Sequence, residues 1–149
     1  MLAARIGQQV YLIALDHLVL YSDRPDSPIS YDPGYVFVGY GEDYRRAHGE
    51  AHYDVGAAKI SFDPSVRAHE YLREIGGSAY LPSYMAVADV AEGRPFIVLK
   101  APVFQRPVCI INHDMTAKKW PYFANLVTHV RADQKGFGSV LDAFYSAQY

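Results

Sequence analysis

The residues best placed to do chemistry are His48 and His52, four apart, with Glu50 between them and Asp54 beyond. On a helix that spacing brings both imidazoles to one face, as in zinc sites. Gly49 and Ala51 interrupt the run, the sequence places no third ligand, and the order is not that of the zinc proteases. The simpler reading is a solvated helix end whose histidines relieve the dipole, and no metal ligand is assigned. Cys109 lies inside Val108-Cys109-Ile110-Ile111, where burial in a strand raises a thiol pKa and leaves it inert. Asn112, His113 and Asp114 follow. Open α/β sheets hold ligands at the carboxyl ends of their strands, so His113 and Asp114 offer a base and its orienter there; a polar strand exit accounts for them more simply. The chain has no G-x-S-x-G elbow and no phosphate loop, and Gly39-Tyr40-Gly41 lacks the third glycine of a dinucleotide turn. Enzymatic readings have no anchor, so neither a catalytic residue nor a cofactor is expected.

Two strand-to-helix turns point to binding instead. Gly39-Tyr40-Gly41 precedes one helical pattern, and Ser61-Phe62-Asp63-Pro64-Ser65 precedes another. If both strands are parallel, two helix amino ends converge at one sheet edge, where free N–H groups suit an anion or a polar small molecule. Plain helix capping is the competing explanation.

Positioning those turns takes a sheet and a core, and the composition supplies both. The chain has 149 residues, 50% hydrophobic and 20% charged, enough for one globular domain. Fourteen Lys and Arg against sixteen Asp and Glu give a net charge of -2, without the basic surplus that gripping phosphates requires. A single cysteine excludes an internal disulfide and suits a reducing cytoplasm. The apolar run Val10 to Leu15 is too short for a bilayer span or a secretory core, so a cytoplasmic protein is expected. Thirteen tyrosines suit half-buried clefts as well as cores.

Val10 to Ala14 and Leu18 to Tyr21 read as strand, with Asp16-His17 a turn or a kink in one long strand. Ser22 to Gly34, with three Pro and three Asp, must be a surface connection. Tyr35 to Val38 is a strand, and Glu42 to His48 a helix with early acids and late bases. Ala57 to Phe62 is a strand. Asp63 can then cap a helix from Ser65 to Ile75 with Pro64 at its first position, packing Ala68, Tyr71, Leu72 and Ile75 inward. Gly76-Gly77 closes it like a left-handed cap. Ser78 to Leu81 is a strand, Tyr84 to Glu92 a helix closed by Gly93, and Phe96 to Lys100 and Val108 to Ile111 are strands. Pro121 to Arg131 is a helix with Tyr122, Phe123, Leu126, Val127 and Val130 on one side, and Ser139 to Tyr149 another. Strands alternating with helices predict an α/β fold whose sheet is mostly parallel and flanked by helices.

The ordered set VRAHEYLREIGGSAYLPSYMAVADVAEGRPFIVL, DHLVLYSDRP, YVFVGYGEDYRRAHGE and APVFQRPVCIINH resembles the effector-binding domain of LysR-type transcriptional regulators, over about Val10 to Arg131. The resemblance implies half of a type 2 periplasmic-binding-protein-like domain: a second lobe at about 10–108, then the return strand and helices of the first lobe at about 109–149. It implies a small-molecule effector held by the family's ligand-facing turns, which fall on Gly39, Tyr40 and Gly41 and on Phe62, Asp63 and Ser65. Where the family often has an acid or small polar group, Tyr40 stands, so ligand type does not transfer. The family's amino-terminal winged helix-turn-helix and the first lobe's opening βα units have no counterpart in the sequence.

The expected role is therefore ligand sensing coupled to an attached DNA-binding module, with no membrane partner and no reaction. A homo-oligomer is expected, because a missing first lobe would leave the Val10 to Leu15 strand and the last helices without their cover. The rivals are a solute-binding module unrelated to transcription, which the lack of a secretion signal disfavours, and a small hydrolase or metal enzyme using His48, His52, His113 and Asp114. With its negative charge and no identifiable recognition helix, the chain alone should show no specific DNA affinity. A gel shift at physiological salt that survives nonspecific competitor would overturn this.

Overall fold

A computed structural model describes residues 7–24, 33–53, 57–94, 96–113, 115 and 119–130. In chain order its elements are β1 (Gln8–Ser22), β2 (Val36–Val38), α1 (Glu42–Ala51), β3 (Ile60–Phe62), α2 (Ser65–Ile75), β4 (Ser78–Pro82), α3 (Ser83–Ala91), β5 (Phe96–Ile97) and β6 (Phe104–His113); residues 123–130 are also helical. The fold is α/β. The chain forms two compact units, one spanning His17–Arg106 and the other combining Met1–Asp16 with Pro107–Tyr149. It passes from one to the other within β1 and again within β6.

In the His17–Arg106 unit, β1 lies between β4 and β5 and is antiparallel to both, with Leu18 opposite Pro82, Leu20 opposite Tyr80 and Tyr21 opposite Ile97. Parallel pairing joins β2 to β3, from Val36 opposite Ile60 to Val38 opposite Phe62, and a single parallel bridge links Tyr35 to Ser78. The expected mostly parallel sheet is thus corrected. Local alternation reveals the β2-α1-β3 crossover, but not that an earlier strand runs the opposite way through the middle of the sheet. β1 is one strand through Asp16 and His17, and β6 pairs with it as well.

Leu18 to Ser22 and the whole of β4 are buried. Leu18 and Leu20 share one core cluster with Tyr35, Tyr44 and Tyr80, while Tyr21, out of phase with them, reaches α2 and α3. This is the two-residue alternation of a strand covered on both faces. On α2, Ala68 and Leu72 are buried and Tyr71 half-buried, but Ile75 is 68% exposed; the inward stripe ends one turn early, where the chain leaves the helix. Pro64 occupies the N-cap rather than the first helical position, and no side chain caps α2, so Asp63 does not cap it either. The Asp63-Pro64 peptide is cis.

Several boundaries shift: α1 runs on to Ala51, β3 starts at Ile60 rather than Ala57, α3 is Ser83–Ala91, β5 is only Phe96–Ile97, and β6 extends over Phe104–His113. In the other unit, Phe123 and Val127 are buried and Phe123 meets the ring edge of Tyr11 at 5.4 Å. Tyr122 and Leu126 face outward, 65% and 37% exposed, so the buried stripe is narrower than expected. Asp54, Asp114 and the proposed helix over 139–149 lie outside the described residues.

Gly76 and Gly77 connect α2 to β4 with φ of 89° and 108°. Gly76 has ψ of -173°, so the pair is an extended positive-φ turn rather than a left-handed helical cap. A Cβ on Gly77 would be built into the Gly34 carbonyl oxygen, whereas one on Gly39 would meet only the Asp63 side chain, at 3.9 Å. Gly77→Ala should therefore cost about 3 kcal/mol, from the forbidden backbone region and the close approach together. Gly39→Ala should stay within about 1 kcal/mol. Urea denaturation of the two variants checks the contrast.

Candidate functional site

The two turns singled out by the sequence lie side by side. The Gly39 N–H donates to the Phe62 carbonyl at 3.1 Å, extending the β2–β3 ladder by one bond past Val38. Gly39 therefore sits against Asp63, and α1 and α2 both start from the carboxyl ends of adjacent parallel strands. Gly41, φ 97°, is the N-cap of α1 and makes no side-chain cap bond. Asp63 is exposed and Ser65 half-buried. Phe62 is half-buried, its ring 5.4 Å from that of Tyr71.

Tyr40 donates through its hydroxyl to the Tyr80 carbonyl at 2.8 Å. Its ring meets Tyr44 edge-on at 5.0 Å, and the Arg106 guanidinium lies over it with Cζ 5.0 Å from the centroid. Tyr40 is thus the rim of the core cluster.

Behind that rim lies a polar interior that the sequence pattern hid. His48 is not a solvated helix end: it is buried, and its Nε2 shares a 2.7 Å hydrogen bond with the Tyr35 hydroxyl. His52, one turn along α1, shares a 3.0 Å bond with the Tyr80 hydroxyl, and the two imidazole centroids are 4.9 Å apart. The pairing on one face is as the i, i+4 spacing predicts, but tyrosines take the nitrogens. The Phe104 ring closes the group against Tyr44 and Tyr80 at 5.3 and 4.9 Å. Burial raises the pKa of Tyr35, Tyr44 and Tyr80 above the usual phenol value. The Tyr44 hydroxyl is enclosed without a hydrogen bond of good geometry, although the neighbouring Tyr35 phenol couples to it electrostatically. Burial, then the neighbouring His52, pushes the His48 pKa down to about 4. At neutral pH these phenols and His48 are uncharged.

A second polar group, which the sequence analysis missed, lies against α2 and α3. Asp89 is 4% exposed, and its Oδ2 accepts both the Tyr21 hydroxyl at 2.6 Å and the His69 Nε2–H at 2.7 Å. Burial works against the Asp89 carboxylate, but the two donors and the nearby His69 and Arg73 charges outweigh it and hold its pKa below the usual value. A signal existed: Asp89 is the one acid in the apolar run from Tyr84 to Val90, and an acid there needs a donor. His113, exposed on β6, accepts from the Met115 N–H at 3.3 Å. Cys109 is half-buried. Among the described residues no three His, Cys, Asp or Glu side chains are arranged to hold a metal ion, and no helix is long and apolar enough to cross a membrane.

No family model and no curated protein sequence matches the chain. Solved structures do match it in fold. The regulatory domain of HypT from Salmonella typhimurium, in its bromide-bound form, superposes with TM-score 0.66 at 11% identity, over 87% of this chain and 67% of that one; full-length HypT is described as a hypochlorite-specific LysR-type transcriptional regulator. The effector domain of the transcriptional regulator AmpR of Pseudomonas aeruginosa gives 0.61 at 15% identity, over 89% and 70%. Full-length LysG from Corynebacterium glutamicum, with its effector Arg bound, gives 0.65 at 13% identity, over 89% of this chain and 49% of that one. The chain thus has the effector-domain fold and spans about half of a full-length regulator of this kind.

The depressed His48 pKa has a consequence for stability. Unfolded, the imidazole takes a proton near pH 6.5; folded, it does so only near 4. Above pH 6.5 neither state is protonated there and the group has no effect. As pH falls from 6.5 towards 4, the unfolded state binds the proton first and the native state loses stability. His48→Gln should flatten the fall of the urea midpoint across that window, whatever its effect on the midpoint at pH 7.

Proposed function

We propose that this chain is the ligand-sensing portion of a LysR-type regulator, with Gly39, Tyr40, Gly41, Phe62, Asp63 and Ser65 forming one wall of the effector site. The observation that carries the reading is the Gly39 to Phe62 hydrogen bond, which brings both turns to a single sheet edge where α1 and α2 begin. Such an edge suits a polar small molecule. In this reading residues of about 10–108 are the second lobe and 109–149 return to the first; a separate helix-turn-helix segment makes the DNA contact, in the cytoplasm. The chain performs no reaction. Effector binding shifts a conformational equilibrium, and the energy available is the ligand's differential affinity for the two states.

Self-association accompanies this role. Leu12 and Leu15 on β1 are each 51% exposed, and Ile111 on β6 is 48% exposed; apolar surface gathered on paired strands favours a second copy. Light scattering at micromolar concentration should give more than the monomer mass.

The site reading is tested on the ¹⁵N-labelled full chain by screening small organic acids, amines and sugars. Ligands should move the amide signals of Gly39 to Gly41 and Phe62 to Ser65; ligands that bind but move only signals near His113 overturn it. Asp63→Asn and Ser65→Ala alter side chains that cap nothing, so each should leave unfolding stability within about 0.5 kcal/mol while weakening those ligands.

A further inference from the structure

We propose that His69 is a coupling residue: it ties α2, which starts at the ligand-wall turn, to Tyr21 of β1 through a single Asp89 oxygen that both side chains share. This concerns the regulation of the site read above and rests on that reading for its purpose, while its test needs no ligand.

Ser65 opens α2, and His69 stands one turn further along the same helical face. The turn also holds the helix from the side, since the Phe62 ring lies 5.4 Å from that of Tyr71. From α2 the His69 Nε2–H reaches across to α3 and donates to the Asp89 Oδ2 at 2.7 Å. The Tyr21 hydroxyl donates to the same oxygen from β1 at 2.6 Å. The two donor rings meet edge-on, their centroids 6.0 Å apart. Arg73, one further turn along α2, adds its charge to that carboxylate, and Arg73 and Arg94 both act on the Tyr21 phenol. Beneath α1, by contrast, each imidazole has a phenol of its own, His48 with Tyr35 and His52 with Tyr80.

A shared acceptor makes its two bonds interdependent. Both donors draw on the electron density of one oxygen, so when one withdraws the other's bond strengthens. Tyr21 and Asp89 are buried, and water does not stand in for a donor that leaves them. The His69 side chain is 17% exposed and the Asp89 side chain 5%, so the end of the tie that has room to move is the one on α2. A displacement of α2 at the turn is therefore felt at Tyr21 as a change in hydrogen-bond strength, and by reciprocity a change at Tyr21 is felt at α2. Tyr21 lies opposite Ala79 of β4 and Ile97 of β5, on the strand that pairs with both. That strand is also the one within which the chain passes out of the His17–Arg106 unit.

The test is a nuclear magnetic resonance comparison of variants of the full chain, carrying ¹³C-tyrosine and ¹⁵N-histidine, with no ligand added. His69→Phe keeps a ring against Tyr21 and removes the N–H, so the Tyr21 Cζ signal should move in the direction of a stronger hydrogen bond. Tyr21→Phe should in turn move the His69 Nε2–H proton downfield. Phe62→Leu, which alters the hold of the turn on α2, should move the Tyr21 Cζ signal, and at least half of that movement should vanish when His69→Phe is added. His69→Leu should repeat both results, so a misfolded variant at that position leaves the other to decide; the remaining amide spectrum confirms folding in each. A Tyr21 signal that ignores the loss of the His69 N–H, that ignores Phe62→Leu, or that answers Phe62→Leu equally with and without His69 overturns the proposal. A ligand screen in which nothing binds at the turns overturns the ligand wall alone and leaves these shifts as they are.

Discussion

Everything in the His17–Arg106 unit hangs on the antiparallel pairing of Leu18 to Ser22 with Ser78 to Pro82. Both segments are buried, so their backbone donors and acceptors have no water to turn to, and the ladder between them is obligatory. The register also sorts the side chains. With Leu20 opposite Tyr80, those two face the aromatic interior under α1, while Tyr21 faces α2 and α3. A slip by one residue would exchange the two sets and put a leucine where Asp89 needs a phenol.

The two faces solve the problem of interior polar groups in different ways. Beneath α1 the solution is neutrality: phenols that keep their protons, an imidazole that refuses one, and hydrogen bonds between them. Beneath α2 and α3 it is compensation, one carboxylate oxygen accepting from a phenol and an imidazole. A neutral interior is tolerant of acid until the imidazole is forced to charge, whereas a compensated one depends on its carboxylate staying ionised and loses its stabilising contribution once pH falls below the ordinary carboxylate value. The turn proposed to meet a ligand is anchored on the neutral side, so the charges that bear on it are those of Asp63 beside Gly39 and Arg106 over the Tyr40 ring, not those of the interior.

Much of this was legible in the residues. The helical patterns over Glu42 to His48 and Ser65 to Ile75, the punctuating Gly76-Gly77 and the two turns before the helices follow from local chemistry that acts within a few residues. What was hidden acts between distant ones. The direction of β1 through the sheet depends on which strands flank it, and no alternation of apolar residues encodes that. His48 reads as a helix-end base because its partner, Tyr35, is contributed by another strand. Tyr40 was legible as a turn residue, but its tie to Tyr80 joins positions forty apart in the chain. Ile75 fits the apolar stripe and still faces solvent, because periodicity marks a face without saying how far along the helix the neighbour extends.

The division of the chain has a consequence for how it is made. His17–Arg106 is one continuous stretch, whereas the other unit joins Met1–Asp16 to Pro107–Tyr149. During synthesis the continuous unit is complete as soon as Arg106 clears the ribosome, and it can close its ladders while the remaining residues are still being added. The discontinuous unit must wait for the last third of the chain. Translation therefore imposes an order: the unit that carries both turns can be assembled first, and the discontinuous one after it.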